Sequence, residues 1–194
     1  MQKVDLPMSE SGNWTVEHFT ISKEDADFAN MRATYSFSCR GTHIVPGAYT
    51  ALKHHGRIIM SDTPDEMKDH ARFVREATGH VLINGLGIGM VLKNVLAKES
   101  VCTVTVNEIS EEVIKMVAPH YSCECLTINH ADAFTWKPAK GIKFDSIWHD
   151  IWADKCTDNL PEMTRLHRRY ARWLNPEGYQ GSWGKEQIKR HRGR

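Results

Sequence analysis

From about residue 80 onward, short apolar runs rich in β-branched residues alternate with segments whose apolar residues recur every three or four positions. The first pattern predicts buried strands, and the second predicts helices. Strands that alternate with helices favour an α/β fold, with a mainly parallel Rossmann-like sheet covered by helices on both faces. The predicted strands are 80–83, 101–106, 126–129, 144–148 and 179–183; the predicted helices are 90–98, one capped by Ser110, and one from Thr157 or Asp158 to about 173; a turn is expected at 175–178.

The N-terminal third lacks this alternation. Ser22, followed by Asp25 three residues later, is typical of a helix start. Thr63 and Pro64 mark the start of another helix, because proline is favoured at the first helical position. The elements predicted here are an extended segment at 14–21, a helix near 23–31, a turn at 45–47, a strand at 57–60 and a helix from 64 to about 77. We therefore expect a small N-terminal extension or lid over 1–55, the Rossmann-like domain over 56–184 and a basic tail over 185–194.

The composition is that of an ordinary globular domain, with 41% hydrophobic and 25% charged residues in a chain of 194. The formal net charge of +1 does not indicate nucleic acid or a membrane surface as a partner. No apolar run approaches the roughly 20 residues that cross a bilayer. The N-terminus lacks a signal-peptide core, so the protein is expected in the cytoplasm, without a membrane partner.

Cysteines and basic residues add two weaker expectations. The five cysteines have no framework spacing, which favours reduced thiols; Cys123 and Cys125 form a lone C-x-C, and no metal site is predicted from them. The stretch 185–194 carries five basic residues against Glu186, and we expect a solvated or frayed tail, with a patch for an acidic partner as the alternative. A solvated face is likewise expected for the helix residues Arg165, His167, Arg168, Arg169 and Arg172.

Two features near the first two predicted strands indicate a nucleotide site. The turn 84–89, of sequence NGLGIG, directly follows one strand and precedes a helix, where glycines permit a sharp turn and a close approach to a ligand. Glu108 follows the next strand about 20 residues later, where an acid can accept hydrogen bonds from both hydroxyls of a ribose. The residues predicted to bind a cofactor here are Asn84, Gly85, Leu86, Gly87, Gly89, Glu108 and Ile109.

Two further acids follow the third and fourth strands. Asp132 can accept a hydrogen bond from an adenine amine, with Ala133 against the ring; alternatively it caps the next segment. Asp150 is placed between tryptophans, where partial desolvation would raise its pKa and suit it to removing a proton. Asp150 is therefore predicted as the base or the substrate anchor, and also as a residue that contacts the cofactor. His149 is predicted as a helper of Asp150, and the alternative for this strand end is a packed core with a capping aspartate.

The four runs VLINGLGIG, VTVNEISEEVI, HADAF and FDSIWHD occur in an order that resembles the spermidine synthase-like branch of the class I S-adenosylmethionine-dependent methyltransferase superfamily. The resemblance covers about residues 56 to 152, including the segment GRIIMSDTPDEMKDH. It implies a class I methyltransferase fold, places Glu108 on the ribose-binding acid and Asp132 on the adenine-binding acid, and matches Asp150 to the first catalytic aspartate. Ile88 replaces the aspartate of the family's glycine motif, and Ile151-Trp152-Ala153 replaces the segment after the catalytic aspartate.

The resemblance implies three alternative functions. The first is an S-adenosylmethionine-dependent methyltransferase of unknown acceptor, either a small molecule, which is the expected partner, or a macromolecule. The second is a polyamine aminopropyltransferase that uses decarboxylated S-adenosylmethionine, and the third is a nucleoside-binding regulatory module without turnover. The oligomeric state is left open, with a homodimer as one possibility. The lining of the acceptor pocket is also left open, and its candidate residues are Trp14, His18, Tyr49, Asp62, Asp65, Glu66 and Asp154.

Overall fold

The computed structural model describes residues 1–35 and 43–192, which form two sheets and six helices. Cys39 lies outside the described residues. The strands are β1 (Ser9–Ser11), β2 (Trp14–Ile21), β3 (Gly47–His54), β4 (Arg57–Ser61), β5 (Gly79–Asn84), β6 (Val101–Glu108), β7 (Leu126–His130), β8 (Phe144–His149) and β9 (Leu174–Ser182). The helices are α1 (Lys23–Tyr35), α2 (Pro64–Glu76), α3 (Met90–Leu96), α4 (Glu111–Val117), α5 (Leu160–Tyr170) and α6 (Lys185–Arg192).

The larger sheet has the order β7-β6-β5-β8-β9, and all four pairings are parallel. Numbered from β5, this is the order 3-2-1-4-5 of a Rossmann-like fold, so the predicted α/β class is confirmed. Strand order reverses between β5 and β8, and ligands in such sheets bind outside the carboxyl ends of the strands at that point. The fold therefore directs attention to residues 84–89, 108–110, 130–134 and 149–153.

Apolar side chains alternate between the two faces of this sheet. In β5, Val81 and Ile83 belong to a large core cluster with Phe73 of α2, whereas Leu82 belongs to a second cluster with Tyr170 of α5. Since neighbouring residues of a strand face opposite sides, one run of apolar residues fills both cores. Helix α2 thus covers one face of the sheet, and α5 covers the other.

The smaller sheet, β1-β2-β3-β4, is antiparallel. Strand β4 pairs with β3 through Ala51–Ser61 and Leu52–Met60, so the expected boundary between residues 55 and 56 falls inside a hairpin of this sheet. The capping interaction expected for α1 is present, since the Asp25 backbone N–H donates to Ser22 Oγ at 3.0 Å. The N-terminal extension therefore includes the strand that had been predicted for the Rossmann-like domain.

Two local predictions in the C-terminal half are wrong. Neither Thr157 nor Asp158 caps α5; both lie in a short 3₁₀ helix, and Asn159 holds the N-cap position without a side-chain hydrogen bond. The predicted turn at 175–178 lies within β9, as a bulge between Leu174, which pairs with Phe144, and Tyr179, which pairs with Ser146. Proline and glycine in this segment fit a bulge as well as a turn.

The structure also differs from the expectations for the cysteines and the basic tail. Cys123 and Cys125 form a disulfide rather than two reduced thiols or a metal-ligand pair. Residues 185–192 of the basic stretch form α6 rather than a frayed tail, and Ile188 is 4% exposed; residues 193–194 lie outside the described residues. Within residues 1–35 and 43–192, no helix combines the length and the apolar character that crossing a membrane requires.

Candidate active site

A cavity of about 410 Å³ opens at the carboxyl ends of β5 to β8. The small sheet forms its opposite wall, where Trp14 stacks on His54 at 4.3 Å between ring centroids. Among the described residues, five carboxylates and no lysine or arginine line this cavity. We call it the acidic cavity; its carboxylates are Glu66, Glu108, Asp132, Asp150 and Glu162.

The glycine turn brings the backbone of residues 85–87 to this cavity. Gly85 has φ +98°, and a Cβ atom there would lie 2.0 Å from the carbonyl oxygen of Asp150. Any side chain at Gly85 would therefore separate the turn from the end of β8. The packing of the chain itself already requires glycine at this position, so the motif alone does not demonstrate a ligand.

Glu108 ends β6 with its carboxylate fixed in place. Its Oε2 accepts a hydrogen bond from the Leu86 backbone N–H at 2.8 Å, and its Oε1 accepts one from the Ser110 N–H at 2.9 Å. A carboxylate oxygen has two lone pairs, so each oxygen retains one for another donor. Glu108 lines the acidic cavity, and this arrangement suits recognition of two adjacent hydroxyl groups.

Asp132 lies in a loop that two residues of α5 support. Its Oδ1 accepts from the Phe134 N–H at 2.8 Å, and no described residue donates to its Oδ2. Tyr170 Oη donates to the carbonyl of Ala133 at 2.7 Å, and Arg169 donates to the carbonyls of residues 135 and 136, each at 2.8 Å. Asp132 therefore caps the local turn and also lines the cavity. Arg169, which was expected on a solvated face, anchors this loop.

Asp150 follows β8, and its side chain is 6% exposed. Its backbone N–H donates to the Asn84 carbonyl at 2.8 Å, which aligns the exits of β8 and β5. Burial raises the pKa of Asp150 well above its usual value, and the neighbouring carboxylates Glu66, Asp69 and Glu108 raise it further. The cavity therefore holds a carboxyl group that favours a proton until a positive charge arrives.

Helix α2 adds two residues to this site that the sequence did not indicate as a pair. His70 is fully buried, neither ring nitrogen has a hydrogen-bond partner, and Nε2 lies 3.7 Å from Asp150 Oδ2. Burial lowers the pKa of His70 to about 4. Burial likewise raises the pKa of Glu66 to about 7, although Ser61 donates to it from both its N–H and its hydroxyl, each at 2.7 Å. His70 is thus uncharged near neutral pH, and the pKa values of both carboxyl groups are shifted toward the protonated form.

His149, predicted as a catalytic helper, lies on the opposite face of the sheet. Its Nδ1 accepts from the Asn84 amide at 2.9 Å, and its Nε2 lies 2.9 Å from the Gln180 amide. Its ring contacts His167 and Tyr170 of α5, and burial holds the pKa of His149 well below its usual value. Because successive side chains at the end of β8 point to opposite faces of the sheet, His149 cannot share the face of Asp150. The predicted role of His149 as a catalytic helper is therefore corrected to a structural one.

Seven of the ten predicted cofactor residues converge on the acidic cavity: Gly85, Gly87, Glu108, Ile109, Asp132, Ala133 and Asp150. The other three serve the scaffold. The Asn84 carboxamide bonds Asn107 and His149, Leu86 donates its N–H to Glu108, and Gly89 packs against the Tyr121 ring. Of the candidate acceptor-pocket residues, Trp14 and Glu66 line the cavity, whereas Asp62 is buried as an acceptor for the N–H groups of Val4 and Thr50.

No protein-family model matches this sequence, and no curated protein matches it either. Solved structures with a similar fold include the N-methyltransferase NodS from Bradyrhizobium japonicum WM9 in complex with S-adenosyl-L-homocysteine, at TM-score 0.49 and 17% identity, covering 62% of each chain. They also include spermidine synthase from Thermotoga maritima, at TM-score 0.49 and 19% identity, covering 69% of this chain and 48% of that one. The chain spans between about half and three-fifths of the length of these two proteins.

Proposed function

We propose that this protein is an S-adenosylmethionine-dependent methyltransferase with its cofactor site in the acidic cavity. The observation that carries the proposal is the set of five carboxylates around a cavity at the switch point of the sheet, with no lysine or arginine among its described lining residues. Such a lining favours a ligand with positive charge. S-adenosylmethionine combines a positively charged sulfonium with a nucleoside.

The nucleoside part of the cofactor fits the strand ends. Glu108 would accept hydrogen bonds from the two ribose hydroxyls, since each of its oxygens retains a lone pair beyond its backbone donor. Asp132 Oδ2 would accept from the adenine amine, with Ala133 and Phe134 along the ring. The exposed side chain of Ile109, at 67% exposure, provides the apolar contact on the other side of the nucleoside.

The same charges argue against a dinucleotide, the usual alternative for a glycine-rich turn in a Rossmann-like sheet. A dinucleotide places its pyrophosphate at the N-terminus of the helix that follows the turn. Here the Leu86 N–H of the turn already donates to Glu108, and α3 has only seven residues. A pyrophosphate at this turn would therefore lack a cation to offset its charge, since no lysine or arginine of the described residues lines the cavity.

Asp150 is proposed as the base that takes the acceptor's proton. The bound cofactor supplies a methyl group that the sulfonium already makes electrophilic, so the protein needs only to align the acceptor and remove its proton. A cation beside Asp150 lowers its pKa and ionises it as the site fills. Asp150 then accepts the proton released by the acceptor, while the methyl group passes to the acceptor and S-adenosylhomocysteine remains.

Calorimetric titration with S-adenosylmethionine tests the cofactor proposal. We expect binding to the full chain and no binding of the oxidised nicotinamide dinucleotide. E108Q should weaken S-adenosylmethionine binding up to about 100-fold, because the glutamine NH2 group cannot accept one of the two hydrogen bonds, and a bond to a charged acceptor is worth roughly 1.5–3 kcal/mol. The matched control is E111Q, which changes an exposed acid of α4 that pairs with Lys115. Equal binding by both variants would refute the site.

Aminopropyl transfer is the second candidate reaction, and the position of Glu66 in the lining of the acidic cavity favours it. Glu66, Asp150 and Glu162 give the acceptor side of the cavity an acidic character of its own, which suits a polyamine. A titration with decarboxylated S-adenosylmethionine separates the two reactions, because aminopropyl transfer requires preference for that form. Acceptor screens that yield S-adenosylhomocysteine support methyl transfer, those that yield methylthioadenosine support aminopropyl transfer, and tight binding with neither product supports a regulatory module.

A further inference from the structure

A second cavity, of about 520 Å³, lies beside α2 and is distinct from the acidic cavity. It is bounded by α2, the end of β9 and the start of α6, and Trp148 and His167 form part of its inner wall. Its cations are Lys68 and Arg72, one turn apart on α2, together with Lys185 and Arg190 of α6. We call it the basic cavity. Its size is that of a site for a small ligand, since such pockets span about 300–1,000 Å³.

The cations of this cavity form no ion pair with a described residue, and Glu186 acts favourably only on Lys185, from a greater distance. None of the four forms an ion pair or a side-chain hydrogen bond there; only Arg72 has another recorded contact, over the Tyr179 ring at 5.5 Å. The two acids of the lining are already engaged. Asp69 accepts from Lys155 and from Gln187, and Glu186 pairs with Lys189. The cavity therefore has an excess of positive charge that the protein itself does not balance.

The pKa values of two groups in the wall of the basic cavity are lowered in part by this excess of positive charge. Burial lowers the pKa of Lys185, and its neighbour Lys189 lowers it further. Burial also lowers the pKa of His167 to about 4, with additional contributions from Lys185 and Lys189. The ring of His167 bonds the Ser182 hydroxyl at 2.8 Å, so both are held in place at the cavity wall. Positive groups that repel one another in this way would be stabilised by a bound anion.

We propose that the basic cavity binds the phosphate group of a small phosphorylated molecule. Two arginines and two lysines from facing helices provide more positive charge than a single carboxylate needs, and guanidinium groups match phosphate oxygens in a two-pronged geometry. The hydroxyl of Ser182 adds a neutral donor at the inner wall. Binding here requires no contact with the acidic cavity, so the proposal stands or falls independently of S-adenosylmethionine binding.

The test is a calorimetric titration of the full chain with inorganic phosphate, pyrophosphate and a short single-stranded oligonucleotide. We expect saturable binding of phosphate and tighter binding of pyrophosphate. R72A and K185A should each weaken pyrophosphate binding about tenfold, as expected for loss of one charge-assisted contact. The pKa of His167, followed by NMR, should rise when pyrophosphate binds, because an added negative charge favours the protonated ring.

The matched control is K189A, which removes the same charge from the same helix at a residue outside the cavity lining. General electrostatic attraction would be weakened equally by K189A and K185A, and that result would overturn the proposal. Absence of phosphate and pyrophosphate binding at millimolar concentration would overturn it as well. An oligonucleotide that binds more tightly than pyrophosphate, and loses that binding in R72A, would replace the small molecule with a nucleic acid.

Discussion

His149 and Asp150 are adjacent in the sequence, yet they lie on opposite faces of the sheet and differ in how their polar atoms are satisfied. On the α5 face, both ring nitrogens of His149 have amide partners, from Asn84 and Gln180. On the α2 face, Asp150 is 6% exposed without a neutralising partner, and His70 beside it has no hydrogen bond at either nitrogen. Of the polar groups beside the end of β8, His149 on the α5 face is hydrogen-bonded, whereas His70 on the α2 face is not.

This difference separates a structural role from a functional one. A buried polar group that is fully hydrogen-bonded stabilises the fold, whereas an unsatisfied one costs free energy and persists where a ligand or a reaction uses it. The network of His149 extends through Asn84 to Asn107 and Asn129, so it ties four strands together. The group around Asp150 instead faces the cavity. The comparison therefore predicts stability losses on one face and activity losses on the other.

The largest effect is expected for D150N, which removes the proposed base while keeping its shape. The transfer rate should fall about 100-fold or more, because a positioned base contributes roughly 10²–10⁴ to the rate. Cofactor affinity should change far less, since the nucleoside contacts remain. Single-turnover kinetics with S-adenosylmethionine measures the rate, and calorimetry measures the affinity.

The control for D150N is D154N, a change at an exposed neighbour that pairs with Arg57 and does not line the acidic cavity. It should leave the rate unchanged. A D150N variant that retains more than about a tenth of the parent's transfer rate would exclude Asp150 as the base, because loss of a positioned base should lower the rate about 100-fold or more.

The next largest effect is expected for H149L, on stability rather than on rate. Removing the ring leaves the buried amide of Asn84 and the half-buried amide of Gln180 without this partner, which should cost about 2–4 kcal/mol of unfolding free energy. Urea denaturation measures this loss. The control is H120L, at an exposed histidine. If folded H149L lost transfer activity while its stability matched the parent, the α5 face would belong to the site after all.

These two residues also show what sequence could and could not predict. Gly85, Glu108, Asp132 and Asp150 all follow strands, and the carboxyl ends of parallel strands share one edge, so the pattern along the chain was enough to bring them together. The face of the sheet on which His149 lies depends on the residue at which β8 ends. The hydrogen bond from the Asp150 N–H to the Asn84 carbonyl determines that residue.

His70 and Glu66 required three-dimensional information. They lie on α2, which precedes the first strand of the larger sheet, and the spacing of residues does not reveal which part of that helix reaches the strand ends. The stacking of Phe73 on Trp148 at 4.9 Å sets that position, and it brings His70 within 5.8 Å of the same indole ring. The sequence offered Glu66 only as one of several candidate acids for the acceptor pocket, and it gave no role for His70.

A smaller effect, dependent on pH, is expected for E66Q. The folded-state pKa of Glu66, about 7, lies above the ordinary value of 4.5. Stability from this group is therefore fully present below about pH 4.5 and is lost as the pH rises through about 7. E66Q keeps an oxygen for the Ser61 donors and removes this loss, so it should exceed the parent by about 1–2 kcal/mol at pH 8.5 and match it at pH 4.5. Thermal and urea unfolding across that range measures the difference; a constant offset at every pH would contradict the assigned pKa.

The smallest change in unfolding free energy is expected for H70L. The sign of that change gives the clearest distinction between the α2 face and the α5 face of the sheet. Because neither ring nitrogen of His70 has a partner, leucine removes two unsatisfied polar atoms, and the unfolding free energy at pH 7.5 should stay within about 1 kcal/mol of the parent or rise. The folded-state pKa of His70, about 4, lies below its ordinary value of 6.5, so the parent loses stability as the pH falls from 6.5 to 4, and H70L should lose less. H70L should instead shift the acidic limb of the transfer rate against pH, since the ring lies 3.7 Å from Asp150. A loss of stability as large as that of H149L would show that the two buried histidines have the same structural role, and that unsatisfied hydrogen bonds do not mark the site in this protein.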